Sequence, residues 1–361
     1  MDEFYMRLAL EEAKKGIGKV SPNPMVGAII VKDEKIIGSG FHEYFGGAHA
    51  EINAFKDAKE SVEGGTMYVT LEPCSHYGKT PPCADKIIEK KIRRVVIGTL
   101  DPNPLVSGKG VKKLTDAGIE VSVGVLEKEC KKANEIFMKY IKYKKPFVVM
   151  KCAMSIDGKI CTKYGESKWI TGEKAREYVH ETRSKLSAIM VGVDTVIKDN
   201  PQLTSRIDNG RNPIRIIVDS TLRIPLKSNV LVDKYKDKTI IATTSSADKE
   251  KIDYIENLGI KVLIISEKEK RVDINELMNR LGEMNIDSVL LEGGGTLNFT
   301  AFKEKIVDKV QVYIAPKIIG GSLAQTPVEG VGIDKLNEAF SLRELKIEML
   351  DKDIFIEGYL N

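Results

Sequence analysis

Apolar residues recur at helical spacing over residues 3 to 15, where Phe4 and Leu8 share a face, and Gly16 stops the pattern. Two short apolar runs, Val26 to Val31 and Lys35 to Phe41, flank the polar Lys32-Asp33-Glu34 and predict a hairpin. A helix is expected over about 50–59, a strand at 67–71, a helix over about 83–91, a strand at 94–98, a helix near 111–117 and a strand at 121–125. This order predicts a layered, βαβ-rich unit. At residues 139–146 the run Lys-Tyr-Ile-Lys-Tyr-Lys-Lys-Pro ends a long helical pattern, and the apolar pattern restarts at Phe147-Val148-Val149-Met150. A domain boundary is therefore expected between residues 144 and 145. Beyond it, strands are expected at 147–152, 188–191, 215–218, 239–242, 261–265, 288–291 and 309–314, with helices between several of them. The expectation is two α/β domains, each of three layers, over residues 1–144 and 145–361, with no internal repeat and no low-complexity segment.

With 42% hydrophobic residues in 361, each half can build a core. Lys plus Arg number 56 against 52 Asp plus Glu, a formal +4, too small by itself to imply a nucleic-acid footprint, and no nucleic-acid partner is expected. No basic segment leads into an apolar stretch at Met1-Asp2-Glu3-Phe4, and no apolar run approaches the roughly 18 residues of a membrane helix. A soluble, cytoplasmic chain without a membrane partner is expected. Five cysteines, an odd number, argue against a disulfide framework and for metal ligation in a reducing compartment.

The first chemical cluster is His49-Ala50-Glu51 at the start of a predicted helix, followed by Pro73-Cys74 and Cys83 between a predicted strand and helix. One imidazole and two thiolates leave the fourth tetrahedral position of Zn²⁺ open, as in a catalytic site; a structural site closes that position with a protein ligand. Glu51 is placed to move a proton from water to a departing amine. On an ideal helix two residues diverge by about 200°, so the pair must share a cavity at the helix start. His-x-Glu followed by Pro-Cys and a further Cys matches the zinc nucleobase deaminase signature, except that eight residues separate Cys74 and Cys83 where that signature has two. The expanded loop carries His76, Lys79 and Thr80, residue types that hold a phosphate.

The second half carries Leu291-Glu292-Gly293-Gly294-Gly295-Thr296 after a predicted strand, where backbone amides at a helix start suit a pyrophosphate. Its glycine spacing is not that of a Rossmann fingerprint. Around it stand Ser155-Ile156-Asp157-Gly158-Lys159, Gly192-Val193-Asp194-Thr195-Val196, Asp199-Asn200-Pro201-Gln202-Leu203-Thr204 and Val218-Asp219-Ser220.

The loop from Pro73 to Cys83, with Ser21-Pro22-Asn23-Pro24, closely resembles the deaminase half of bifunctional riboflavin-biosynthesis proteins of the RibD type, and the second-half motifs resemble the reductase half of that family. The resemblance implies a cytidine-deaminase-like amino-terminal domain and a dihydrofolate-reductase-like carboxy-terminal domain. It implies Zn²⁺ on His49, Cys74 and Cys83, Glu51 as the catalytic group, and a substrate pocket including Asn23, His42, His76, Lys79 and Thr80. For the reductase it implies NADPH contacts at Ala153, Trp169, Thr195, Asp199, Ser220, Gly294, Gly295, Thr296, Leu297, Asn298, Phe299 and Thr300, and substrate contacts at Ser167, Arg183, Leu203, Arg206 and Glu292. Arg183 and Arg206 would grip a phosphate dianion and Trp169 would wall a ring. The implied activity is hydrolytic deamination of a phosphorylated pyrimidine followed by reduction of its ribosyl group, in a homo-oligomer. Two rival classes are a tRNA-editing-type nucleobase deaminase with an appended binding domain, and a non-catalytic protein whose His49, Cys74 and Cys83 hold a structural metal.

Overall fold

Asp33 and Glu34 both adopt positive φ (48° and 61°), the turn whose twist matches that of a two-strand hairpin, and so they join β1 (Gly27–Lys32) to β2 (Lys35–Phe41). In the computed structural model, which describes residues 1–77, 81–103, 106–208 and 210–360, that hairpin is one edge of the first of two units, Met1–Lys144 and Lys145–Asn361. In the first unit α1 (Asp2–Lys14) precedes the hairpin. It is followed by α2 (Ala50–Asp57), β3 (Thr66–Leu71), α3 (Cys83–Glu89), β4 (Arg94–Thr99), α4 (Lys109–Asp116), β5 (Glu120–Val123), α5 (Glu127–Ala133) and α6 (Glu135–Tyr143). The sheet runs β2-β1-β3-β4-β5, with β1 antiparallel to both neighbours and β3, β4 and β5 parallel.

Helices cover both faces of this sheet. Tyr5, Met6, Ala9 and Leu10 of α1 pack on Ile29, Val31 and Tyr68, whereas Ala50, Ala54, Ile87 and Leu114 of α2, α3 and α4 pack on Ile30, Met67 and Val95. The α2 backbone lies directly on β2, and a Cβ at Gly40 would stand 2.3 Å from the Ala54 nitrogen. Only a residue without a side chain fits there.

The second unit contains β6 (Phe147–Ser155), α7 (Glu173–Lys185), β7 (Ala188–Gly192), α8 (Val193–Asp199), β8 (Ile214–Val218), α9 (Asn229–Val232), β9 (Thr239–Thr243), α10 (Lys249–Asn257), β10 (Lys261–Ile264), the ribbon β11 (Glu267–Lys268) and β12 (Arg271–Val272), α11 (Ile274–Glu283), β13 (Ser288–Leu291), α12 (Gly295–Lys303), β14 (Lys309–Ala315), β15 (Leu342–Leu350) and β16 (Asp353–Leu360). Its main sheet runs β10-β9-β8-β7-β13-β6-β14-β16-β15, parallel from β10 through β14 and antiparallel at β16 and β15. One face is covered by α11 and α12 through Leu277, Leu281 and Phe302. The other is covered by α8, α9 and α10 through Val196, Leu231 and Ile255, with α7 over Tyr313 and Phe355.

The hairpin β15–β16 and the ribbon β11–β12 are elements that the hydrophobic pattern did not predict. In β15 the alternating Leu345, Ile347 and Met349 face outward and are 56–64% exposed, so these three positions build no core in the chain. The ribbon's strands are two residues each, too short for any periodicity. Among the described residues, no helix is long and apolar enough to cross a membrane.

The contact at Gly40 ties the fold to the chemistry, because α2 begins at the residue after His49. Gly40→Ala is expected to cost about 2 kcal/mol of stability, from the overpacking it forces, and to lower zinc retention by shifting α2 on the sheet. Denaturant titration and metal analysis of the purified variant test this.

Candidate functional site

The carboxyl ends of the parallel strands carry the chemistry in both units, the edge at which open α/β sheets bind ligands. In the first unit β3 leads into Glu72-Pro73-Cys74. His49 is the N-cap of α2 with extended backbone (φ −71°, ψ 160°), and Glu51 sits in that helix's first turn. A residue at the cap leaves the chain off the helical spiral, and this removes the divergence of about 200° that two positions within an ideal helix would have.

His49 Nδ1 lies 3.2 Å from Cys83 Sγ and 3.6 Å from Cys74 Sγ, and the candidate ligand atoms of all three residues fall within 4.8 Å of one another. A tetrahedral zinc with bonds of about 2.3 Å to sulfur and 2.0–2.1 Å to nitrogen sets its sulfur and nitrogen ligands about 3.5 Å apart, so the geometry fits the metal. Cys83 opens α3, and its backbone N–H donates to Cys74 Sγ at 3.2 Å. The Cys83 thiol, then the His49 ring and this N–H, hold the Cys74 thiol down to about 4 against its burial. Cys83 is pushed the other way because Cys74 accepts its proton, a conflict that a dication between the two sulfurs removes. Glu51 is 3% exposed; burial first, then the Cys74 charge, pushes its carboxyl up to about 7. A carboxyl with that pKa can exchange protons in both directions near neutral pH.

His42 stands edge-on to His49, with ring centroids 5.7 Å apart. Its Nδ1 meets the Ala48 carbonyl at 3.0 Å, so Nδ1 carries the proton and Nε2 accepts from Asn23 Nδ2 at 3.1 Å. Asn23 and His42 are thereby joined beside the metal ligands. His76 is exposed and interacts electrostatically with Asp101. Lys79 and Thr80 lie outside the described residues. One supporting group was not singled out from the sequence. Buried Glu72 accepts the N–H groups of Asp101, Gly108, Gly110 and Val111 at 2.9–3.2 Å, tying the segment after β4 and the start of α4 to the Cys74 loop. Its signal was an acid directly after an apolar strand.

In the second unit two cavities, of about 450 and 520 Å³, share Ile160, Ser167, Thr195 and Asp199. The first is lined by Ser220, Thr221, Arg223, Gly294, Gly295, Thr296, Leu297 and Thr300. Gly294 caps α12 without any side-chain bond to the helix amides, which leaves that N-terminus to a ligand. The second holds Ala153, Trp169, Arg183, Leu203, Arg206, Glu292 and Asn298. Phe299 lines neither; its ring packs against Gly330. Arg176 stacks over the Trp169 ring, 4.7 Å from its centroid.

At the floor of the second cavity Arg183 grips Glu292 through two bonds (2.7 and 3.0 Å), and Lys151 approaches the same carboxylate at 3.5 Å. Lys151 was missed in the sequence, where its signal was a single cation inside the apolar run of β6. His180, also missed, lines this cavity one turn before Arg183, with a buried Nδ1 that has no partner. Burial first, then Arg183 and Arg206, push its imidazole down to about 4. Burial alone would raise the Glu292 carboxyl, yet the charges of Arg183 and Lys151 overcome it and take the group down to about 2. A carboxyl depressed on folding stabilises the fold above its unfolded pKa and loses that effect as pH falls through its folded one. Glu292 is therefore expected to contribute about 3 kcal/mol above pH 4.5, lost toward pH 2. Glu292→Gln is expected to flatten that part of the stability–pH curve and to lower stability at pH 7 by leaving Arg183 buried without its counter-charge; urea titrations at several pH values measure both.

Residues 146–356 match the family model described as the RibD C-terminal domain, and residues 1–99 match the cytidine and deoxycytidylate deaminase zinc-binding region. The riboflavin biosynthesis protein RibD of Actinobacillus pleuropneumoniae is 51% identical, over 99% of this chain and 94% of its own length. That of Aquifex aeolicus is 44% identical, over 99% and 98%. Among solved structures, Acinetobacter baumannii RibD superposes with a TM-score of 0.88 at 36% identity, covering 100% of this chain and 99% of that one. The Thermotoga maritima diaminohydroxyphosphoribosylaminopyrimidine deaminase/5-amino-6-(5-phosphoribosylamino)uracil reductase superposes at 0.84 with 39% identity and the same coverage. With both halves matched in one chain, the tRNA-editing alternative is not favoured, and this protein belongs to the RibD family of bifunctional deaminase–reductases of riboflavin biosynthesis.

Proposed function

We propose that residues 1–144 are the zinc-dependent deaminase domain, acting on 2,5-diamino-6-ribosylamino-4(3H)-pyrimidinone 5′-phosphate. Residues 145–361 then reduce the ribosyl group of the product with NADPH, giving 5-amino-6-ribitylaminouracil 5′-phosphate. The observation that carries the first step is the approach of His49 Nδ1 to both Cys74 and Cys83 sulfurs beside a buried Glu51. When bound by these three residues, zinc supplies a Lewis acid with one open position. Glu51 takes the proton of the attacking water and delivers it to the departing amine, and its raised pKa suits both transfers. Asn23, oriented by His42, meets the pyrimidine edge, and His76 with Lys79 and Thr80 meets the phosphate.

In the reductase, the nicotinamide coenzyme supplies the hydride. Gly294 to Thr296 at the start of α12 would take its pyrophosphate, with Leu297, Asn298, Phe299 and Thr300 continuing that helix, and Ser220 at the adenosine end. Thr195 and Asp199 line both cavities, and Ala153 and Trp169 line the second. Ser167, Arg183, Leu203, Arg206 and Glu292 would hold the ribosyl phosphate. Lys151 and His180 add a cation and a neutral imidazole to the same wall.

A homo-oligomer is supported by the exposed Ile347 and Met349 of β15, which align with the half-buried Ile356 and Ile354 of β16. Thiolate metal ligands suit a reducing, cytoplasmic setting, and the near balance of charges gives by itself no reason to expect a nucleic-acid partner.

Glu51→Gln is expected to retain zinc and lose deamination by at least 10³-fold, while the reductase step on supplied deaminated substrate stays intact; mass spectrometry of products with and without NADPH reads both. Retained deamination would exclude Glu51 as the proton carrier. Ile347→Glu is expected to reduce the mass observed by light scattering, and an unchanged mass would remove this face from the assembly.

A further inference from the structure

Glu269 and Lys270 form the two-residue turn between β11 and β12, both with positive φ (51° and 60°). A ribbon this short does not stand alone, and it is braced on three sides. Lys268 Nζ reaches both carboxylate oxygens of Glu304 at 2.7 and 2.8 Å, Lys303 reaches Glu269 at 2.9 Å, and the Val272 N–H donates to Ser220 Oγ at 3.1 Å. The bracing sets Lys270 and Arg271 on the wall of the 450 Å³ cavity, beside Ser220, Thr221 and Arg223 from the turn after β8. Among the described residues, neither Lys270 nor Arg271 has a carboxylate within ion-pair distance.

Where a dinucleotide lies across strand ends, a carboxylate near the adenosine ribose holds a free 2′-hydroxyl, and a cation there accepts a 2′-phosphate. Asp219, the acid of the β8 turn, is 1% exposed and faces inward, accepting the N–H groups of Arg223 and Ile224 at 2.9 and 2.8 Å. Asp194 on the cavity wall is paired with Arg223 at 2.8 Å. Asp219 and Asp194 are thus engaged, whereas among the described residues Lys270 and Arg271 have no carboxylate within ion-pair distance.

We propose that the β11–β12 ribbon is the specificity arm of the coenzyme cavity, with Lys270 and Arg271, supported by Ser220, receiving the adenosine 2′-phosphate and so selecting the phosphorylated dinucleotide over NADH. This rests on the reading that the cavity holds a nicotinamide dinucleotide. A phosphate dianion gains charge-assisted bonds from both side chains, and these weaken with added salt.

The test uses the full chain and the variants Lys270→Asn, which suits a positive φ, and Arg271→Gln, singly and together. Reductase kcat/KM is measured with NADPH and with NADH, and calorimetry compares 2′,5′-ADP with 5′-AMP. The wild-type chain is expected to prefer NADPH and 2′,5′-ADP, and the double variant to lower both preference ratios at least tenfold. Unchanged ratios in the double variant overturn the proposal. A wild type that accepts both coenzymes equally overturns it too, yet leaves the coenzyme cavity in place. A chain that takes neither coenzyme and neither nucleotide overturns the cavity reading beneath it.

Discussion

The first turn of a helix leaves backbone N–H groups without acceptors inside the helix, and how each helix start is satisfied decides what each strand end can do. Asp248 caps α10, Asp273 caps α11, and Glu72 reaches across to the first amides of α4. Two starts at the candidate sites carry no side-chain oxygen cap. The α3 start gives its Cys83 amide to the sulfur of Cys74, and α12 opens at Gly294 with no side-chain cap. The partial positive charge of a helix end favours a thiolate at the first and would favour a phosphate at the second.

Burial then sets the protonation states that these ends require. Burial and then the Cys74 charge lift Glu51 toward neutrality against the pull of His49, as would suit a proton carrier. Glu292 is equally enclosed, but Arg183 and Lys151 keep it ionised, which fixes those two cations at the cavity floor. Two buried glutamates therefore take opposite roles because of neighbours that come from other strands and helices. His180 follows the same logic with the sign reversed, since surrounding cations keep it neutral.

Much of this was legible in the residues. The 2.0 and 3.6 periods located the central strands and their helices, and the spacing of His49, Glu51, Cys74 and Cys83 pointed to an open metal site. The outer hairpin β15–β16 was not legible by the same rule: Leu345, Ile347 and Met349 of β15 face outward, and a search for buried alternation passes over them. Lys151, His180 and Glu72 were silent for a different reason. A lone cation, imidazole or acid carries no period, and its meaning depends on which groups the fold sets against it.

The sequence by itself pointed to the candidate metal ligands, the glycine-opened helix and the order of most elements, because these depend on residue type and on local backbone preference. Tertiary structure alone decided that Arg183 and Lys151 meet on Glu292, and that the six-residue ribbon over 267–272 carries to the end of β8 two cations that, among the described residues, have no carboxylate within ion-pair distance. Each of those depends on close approach between segments distant along the chain. Their distances are fixed by packing, not by spacing along the chain.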